Sequence, residues 1–422
     1  MTRVLFLAES FHPVLGGGET HLRRLGSALV AGGDPATVVT RRGELSWPAM
    51  DELDGVRVRR VPPSGPGRVG KYLMLPAAVV AVAREAGRHD VLVVRGTRVL
   101  GLPALLAGRL AGLPVVLQPG INGELDGSAF TWGKPWAAGR RGRLLRGLVR
   151  ARNAWLGDAE AFVAMSSRIR DEIRGAGIAA ERVRLIPHGV DTERFRPATR
   201  VEAAALRARL GLPAGTLAVY TGRLLKGKGL EGLLDALEAV PTGDEGLRLA
   251  LVGAGEGQSL SVEEALRRRA SETGLAGRVT FAGRVEAVED WLRAADFFVF
   301  PSLFEGLGIS LVEAAACGLP AIGSRTGGIV DVIENGRSGL LVSPGEVGEL
   351  AAALRALAID AGRRSELGLR ARAVARERFD ESDALARYRA LFRELSSRRP
   401  SSRPARAPRA GAGRPPSPAA RA

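Results

Sequence analysis

Short runs of consecutive apolar residues alternate with longer stretches of helical periodicity along most of the chain. Arg3–Ala8 predicts a buried strand, and a glycine loop then leads into a helix over Glu19–Val30 that stops at Gly32 and Gly33. Further strands are predicted at Ala36–Thr40, Asp90–Val94, Pro114–Gln118, Ala161–Ala164 and Arg184–Ile186, with helices such as Arg150–Asp158 and Ser167–Gly175 among them. After a polar link over Asp191–Arg200 the pattern restarts. Strands are predicted at Leu217–Thr221, Leu247–Val252, Arg278–Phe281, Phe297–Phe300 and Pro320–Gly323. The helices between them are Leu230–Val240, Ser261–Glu272, Val288–Ala294 and Ile309–Cys317. Apolar strands alternating with helices indicate doubly wound parallel sheets, hence two α/β halves with a crevice between them where a nucleotide is expected.

Composition and charge narrow this picture. The 422 residues suffice for two or three domains, and the lone Cys317 excludes a disulfide framework or a Cys-based zinc site within the chain. The apolar run Val4–Ala8 is too short for a secretory signal, and Tyr72–Ala83, which contains Pro76, falls short of the roughly 20 residues that span a bilayer. A cytoplasmic protein is expected. The net charge of +16 is unevenly spread: from Arg398 onward there are seven Arg and no acid, which predicts a disordered basic tail. Arg140, Arg141, Arg143, Arg146, Arg150 and Arg152 interleave with Leu144, Leu145, Leu148 and Val149. Such a basic amphipathic helix can meet anionic lipid at roughly 1 kcal/mol per basic residue, and a solvated arginine face is the competing reading. With aromatics at 5% and no recognisable binding module, no nucleic-acid partner is expected.

Three segments carry candidate chemistry. Gly16-Gly17-Gly18-Glu19 follows the first strand and opens a helix, where backbone N–H groups can approach a phosphate. Gly222-Arg223-Leu224-Leu225-Lys226-Gly227-Lys228-Gly229 nearly spells a P-loop, but Gly229 stands where a magnesium-binding Ser or Thr is required. Its cations still suit a pyrophosphate, at roughly 1.5–3 kcal/mol per charged hydrogen bond. In Pro301-Ser302-Leu303-Phe304-Glu305-Gly306-Leu307-Gly308 a strand is followed by Glu305, two glycines and a helix containing Glu313. One carboxylate can face a sugar and the other can accept bonds from ribose hydroxyls, with Gly306 and Gly308 offering N–H groups to phosphate. Gly253-Ala254-Gly255-Glu256-Gly257 holds a partial dinucleotide fingerprint, read as a donor-side loop. No Asp-x-Asp pair occurs, and His12, His21, His89 and His188 lack metal-ligand spacing, so no metal is expected.

Together these segments resemble the retaining GT-B glycosyltransferases related to glycogen synthase, family 4, from about residue 3 to 395. RLIPHGVDTERF at Arg184–Phe195 resembles the family's interdomain segment, and GRLLKGKG its donor-phosphate loop. FEGLGISLVEAAACGLPAI resembles its Glu-x7-Glu element, and TGGIVDVIENGRSGLLV the segment that follows. The resemblance implies Rossmann-like domains at 1–190 (acceptor side) and 191–380 (nucleotide-sugar side), with a helix over 381–396 crossing back and a tail over 397–422. It also implies that Arg223, Lys228 and backbone at Leu307 and Gly308 bind the donor diphosphate, facing Gly16 and Gly17 from the opposite domain. Glu313 would hold the ribose, Glu305 the transferred sugar, and backbone near Arg284 and Val285 the base.

The substrate is then a nucleoside diphosphate sugar, without a cofactor, and the acceptor a glycan or lipid-linked molecule. In one respect the sequence departs from the family. Many members carry a histidine after the strand equivalent to Val115–Gln118, where this chain reads Leu117-Gln118-Pro119-Gly120-Ile121-Asn122-Gly123-Glu124. Asn122, Glu124 and Asp126 are the candidates for its positioning role. An epimerase of the same architecture, a P-loop NTPase and a non-catalytic sugar-nucleotide binder are the rival readings.

Overall fold

The structure, a computed structural model, describes residues 1–398 apart from 15, 66–68, 132–134, 241–245, 256, 257, 259 and 273. The tail beyond Arg398 and two residues of the 253–257 loop therefore lie outside the described residues. Strands β1 (Val4–Ala8), β2 (Ala36–Arg41), β3 (Met50–Leu53), β4 (Val56–Val61), β5 (Val91–Arg95), β6 (Val115–Gln118), β7 (Ala161–Ala164) and β8 (Val183–Leu185) form one sheet in the order β3-β4-β2-β1-β5-β6-β7-β8. Only β3 runs antiparallel to its neighbour. Strands β9 (Leu217–Thr221), β10 (Arg248–Val252), β11 (Val279–Gly283), β12 (Phe297–Phe300), β13 (Ala321–Ser324) and β14 (Gly339–Val342) form a second, wholly parallel sheet, β11-β10-β9-β12-β13-β14.

Alternate residues of each central strand feed opposite faces, which is why the strands read as unbroken apolar runs. Val4, Phe6 and Ala8 pack with Leu22, Leu25 and Leu29 of the Gly17–Ala31 helix and with Tyr388, Leu391, Phe392 and Leu395 of the Glu381–Ser397 helix. Leu5 and Leu7 face the other way, into a core shared with Val82, Leu100, Ala104 and Leu156. The last helix is thus part of the first sheet's cover. Arg389 Nε lies 3.1 Å from Asp34 Oδ2, and the Tyr388 hydroxyl accepts from Gln118 Nε2 at 3.0 Å. No helix among the described residues is long and apolar enough to cross a membrane.

The strand order reverses between β1 and β5 in the first sheet and between β9 and β12 in the second. Loops leaving a parallel sheet at such a switch point diverge and leave a crevice. The loops leaving β1, β9 and β12 are the three glycine-bearing segments singled out in the sequence.

Candidate active site

The β9 and β12 loops are built against each other. Leu303 N donates to Gly227 O at 2.9 Å, and Gly229, with φ +70°, sits where a β-carbon would overlap the Pro301 carbonyl oxygen. A Ser or Thr of a P-loop has no room there, which removes the magnesium ligand an NTPase needs. The packing brings Lys228 Nζ to 2.5 Å from Glu305 Oε2, both side chains largely shielded from water. Lys228 Nζ also stands 5.5 Å from the Phe300 ring centre.

The first domain closes over this pair. Asn122 Nδ2 donates to the Glu305 backbone carbonyl at 2.6 Å, and its own Oδ1 is buried without a partner. Gly306 lies so close to the first domain that a β-carbon would stand 3.2 Å from Gly120 O and 3.4 Å from Met165 Sδ. Ser167 N donates to Asp331 Oδ2 at 2.6 Å, and its hydroxyl to Asp331 Oδ1. Gly327 and Gly328 pack beneath the Glu305–Leu307 backbone, where a β-carbon on Gly327 would overlap the Glu305 carbonyl.

Two helix N-termini converge at the same place. Gly16 caps the Gly17–Ala31 helix and Gly308 the Ile309–Ala316 helix, neither with a side-chain cap. A β-carbon on Gly17 would touch Ile309 Cδ1 at 3.4 Å, so both positive helix ends face one gap. The Arg223 guanidinium carbon stands 4.0 Å from the β position of Gly16. Leu307 is buried, whereas Arg223 and Arg284 are exposed, Arg284 on the loop after β11. Glu313 lies on the buried side of its helix, 3.4 Å from Arg24 Nη1 of the first domain. Burial raises its carboxyl above the usual range, while Arg24 and Arg194 pull it down.

Of the acceptor-side candidates, only Asn122 reaches the opposite domain. The buried Glu124 carboxylate accepts from Thr97 N at 2.8 Å, Thr97 Oγ1 at 2.6 Å and Gly120 N at 3.0 Å, tying its loop to the start of the Thr97–Ala111 helix. Asp126 is exposed and accepts from Ser128 N at 2.7 Å. The first domain also holds a buried histidine pair drawn from distant parts of the sequence. His21 and His188 stack at 3.7 Å between ring centres, close to Tyr388, and burial lowers both well below the ordinary histidine value. Their proximity was invisible in the sequence, 167 residues apart by numbering (188 − 21). Gly253 packs against Gly222 and Gly255 against Leu224, both on the β9 loop.

This geometry has counterparts in known proteins. Residues 15–194 match the family model of Glycosyltransferase Family 4, and residues 215–360 that of Glycosyl transferases group 1. A D-inositol 3-phosphate glycosyltransferase of Xylanimonas cellulosilytica is 30% identical over 403 residues, covering 91% of this chain and 93% of its own. A GDP-mannose-dependent alpha-(1-6)-phosphatidylinositol monomannoside mannosyltransferase of Mycobacterium tuberculosis is 32% identical over 390 residues, 87% and 92% of the two chains. Among solved structures, sucrose-phosphate synthase from Thermosynechococcus elongatus shares the fold at a TM-score of 0.78 and 24% identity, covering 94% of this chain and 99% of its own. With the switch-point loops, facing helix ends and Lys228–Glu305 pair in place, the chain belongs to the family 4 glycosyltransferases, enzymes of GT-B fold.

Proposed function

We propose that this enzyme transfers a hexose unit from a nucleoside diphosphate sugar to a glycan or lipid-linked acceptor, with retention at the anomeric carbon. The observation that carries it is the Lys228–Glu305 pair beside two converging helix ends. A diphosphate fits the positive gap between Gly16–Gly17 and Leu307–Gly308. Arg223 and Lys228 then stabilise the charge that develops as the bond from the sugar carbon to the diphosphate oxygen breaks, a task needing no metal or cofactor. Glu305 holds the sugar beside that carbon, Glu313 the ribose, and the backbone at Arg284 and Val285 the base. Retention follows from the family resemblance. The relatives' names point to inositol phosphate and phosphatidylinositol mannoside, so polyol phosphates, free and lipid-linked, head the acceptor panel. The same reading brings the protein to an anionic membrane through its exposed arginines.

Nucleotide release across a donor panel, with and without acceptor, separates transfer from epimerisation and from simple binding. Arg223→Ala and Lys228→Ala are each expected to lower kcat/KM by about 10- to 100-fold. Unchanged turnover in both removes the diphosphate assignment.

A further inference from the structure

Three helices lie side by side across the face of the first sheet away from the C-terminal helix. Leu75–Glu85 packs on Thr97–Ala111, which packs on Arg140–Leu156. Helices that cover a sheet ordinarily turn polar residues outward. The middle helix, Arg109 apart, does the reverse. Leu102, Leu106 and Leu110, spaced i, i+4 and i+8, form one outward row between 41% and 68% exposed. Leu144, Leu148 and Trp155 form a second row on the neighbouring helix, each at least 60% exposed.

The six arginines of that helix divide. Arg146 and Arg152 turn inward, to the carbonyls of Ala137 and Glu124. Arg140, Arg141, Arg143 and Arg150 stay exposed, and none forms an ion pair among the described residues. Neither helix contains an Asp or Glu.

We propose that this two-row face lies flat on an anionic bilayer, with leucines and Trp155 in the interfacial layer and the four arginines among lipid phosphates. It rests on the membrane contact proposed above and moves its centre from the arginine stripe to the apolar rows. A second copy of the chain would set arginine against arginine, and nucleic acid offers nothing to six outward apolar side chains. Thr97, bonded to Glu124, begins the middle helix at the cleft edge, so the leucine row leads from the bilayer toward the cleft. A lipid-linked acceptor could then enter without leaving the membrane.

Sedimentation with phosphatidylglycerol and phosphatidylcholine vesicles tests this. The full chain should bind the anionic vesicles at low salt and bind the neutral ones weakly. Leu106→Ser/Leu110→Ser should weaken binding about tenfold or more at every salt concentration. Arg143→Gln/Arg150→Gln should lose most of the gain seen at low salt. Brominated lipid should quench tryptophan fluorescence, and Trp155→Phe, a mild replacement, should remove the quenched component. Donor turnover with a water-soluble acceptor should stay within about twofold in all three variants, with unchanged circular dichroism melts. No vesicle binding by the unaltered chain, equal binding by the leucine variant, or a solution dimer that the leucine variant dissolves would each overturn the proposal. A chain that binds vesicles but transfers no sugar leaves the docking face standing and sinks the transfer reading instead.

Discussion

Gly229 shows how much one missing side chain decides. In the sequence it is a P-loop's flaw; in the fold it is the contact that lets the β9 and β12 loops meet and sets Lys228 on Glu305. Gly229→Ala combines a left-handed backbone with an overlap on Pro301, and is expected to cost about 1–3 kcal/mol in denaturant unfolding. It should also reduce sugar transfer without creating ATP hydrolysis. Stability and turnover equal to the parent would show that the loop contact is dispensable. Lys228 and Glu305, which the fold sets side by side, stood out in the sequence because each lies at fixed spacing from glycines, a strand and a helix. Asn122 stood out only as an occupant of a histidine's usual place. Its bond to the Glu305 carbonyl spans 183 positions, and no local pattern encodes that.

At the level of elements, the central strands were readable because both their faces are covered and most of their residues are apolar. The β3–β4 hairpin was not. Val56-Arg57-Val58-Arg59 alternates as a half-buried strand does, but Arg60 puts a charge at a buried position, with Nη1 donating to Asp51 Oδ2 at 2.9 Å and to Pro48 O at 3.1 Å. The strand β14 escaped because it is four residues long and begins with Gly339.

The Ile309–Ala316 helix carries a further consequence. Its Glu313 has a carboxyl raised by burial, so the folded state holds that proton more tightly than the unfolded chain does. The resulting stability is present below the ordinary carboxylate value of about 4.3 and is lost as pH rises through the raised folded value. Glu313→Gln should therefore melt higher than the parent near pH 8 and alike near pH 4, while binding donor more weakly. A melting difference that is the same at both pH values counts against this account.

Across the whole molecule, the two halves are held shut by contacts from separate stretches: Asn122 on Glu305, Arg24 on Glu313 and Ser167 on Asp331. The stacked His21–His188 pair joins the first helix of one half to the segment leading into the other. Both rings are kept neutral by burial, and His188 has neither ring nitrogen partnered. The folded values lie well below the unfolded value of about 6.5, so stability is full above that pH and drains away as pH falls below it. Replacing His188 with Phe keeps the stack and removes two buried polar atoms. Its melting temperature should fall less than the parent's between pH 7 and pH 5, and a parallel fall would exclude the pair as the cause.

The Glu381–Ser397 helix also imposes an order on synthesis. Phe6, Leu22 and Leu25 belong to the opening of the chain, yet they are covered by Tyr388, Leu391, Phe392 and Leu395, among the last residues described. Each of those four side chains contributes roughly 1.5–3 kcal/mol of burial. A nascent first half thus emerges with one flank bare and stays unfinished while the second sheet assembles behind it. The half made first is the last to be completed.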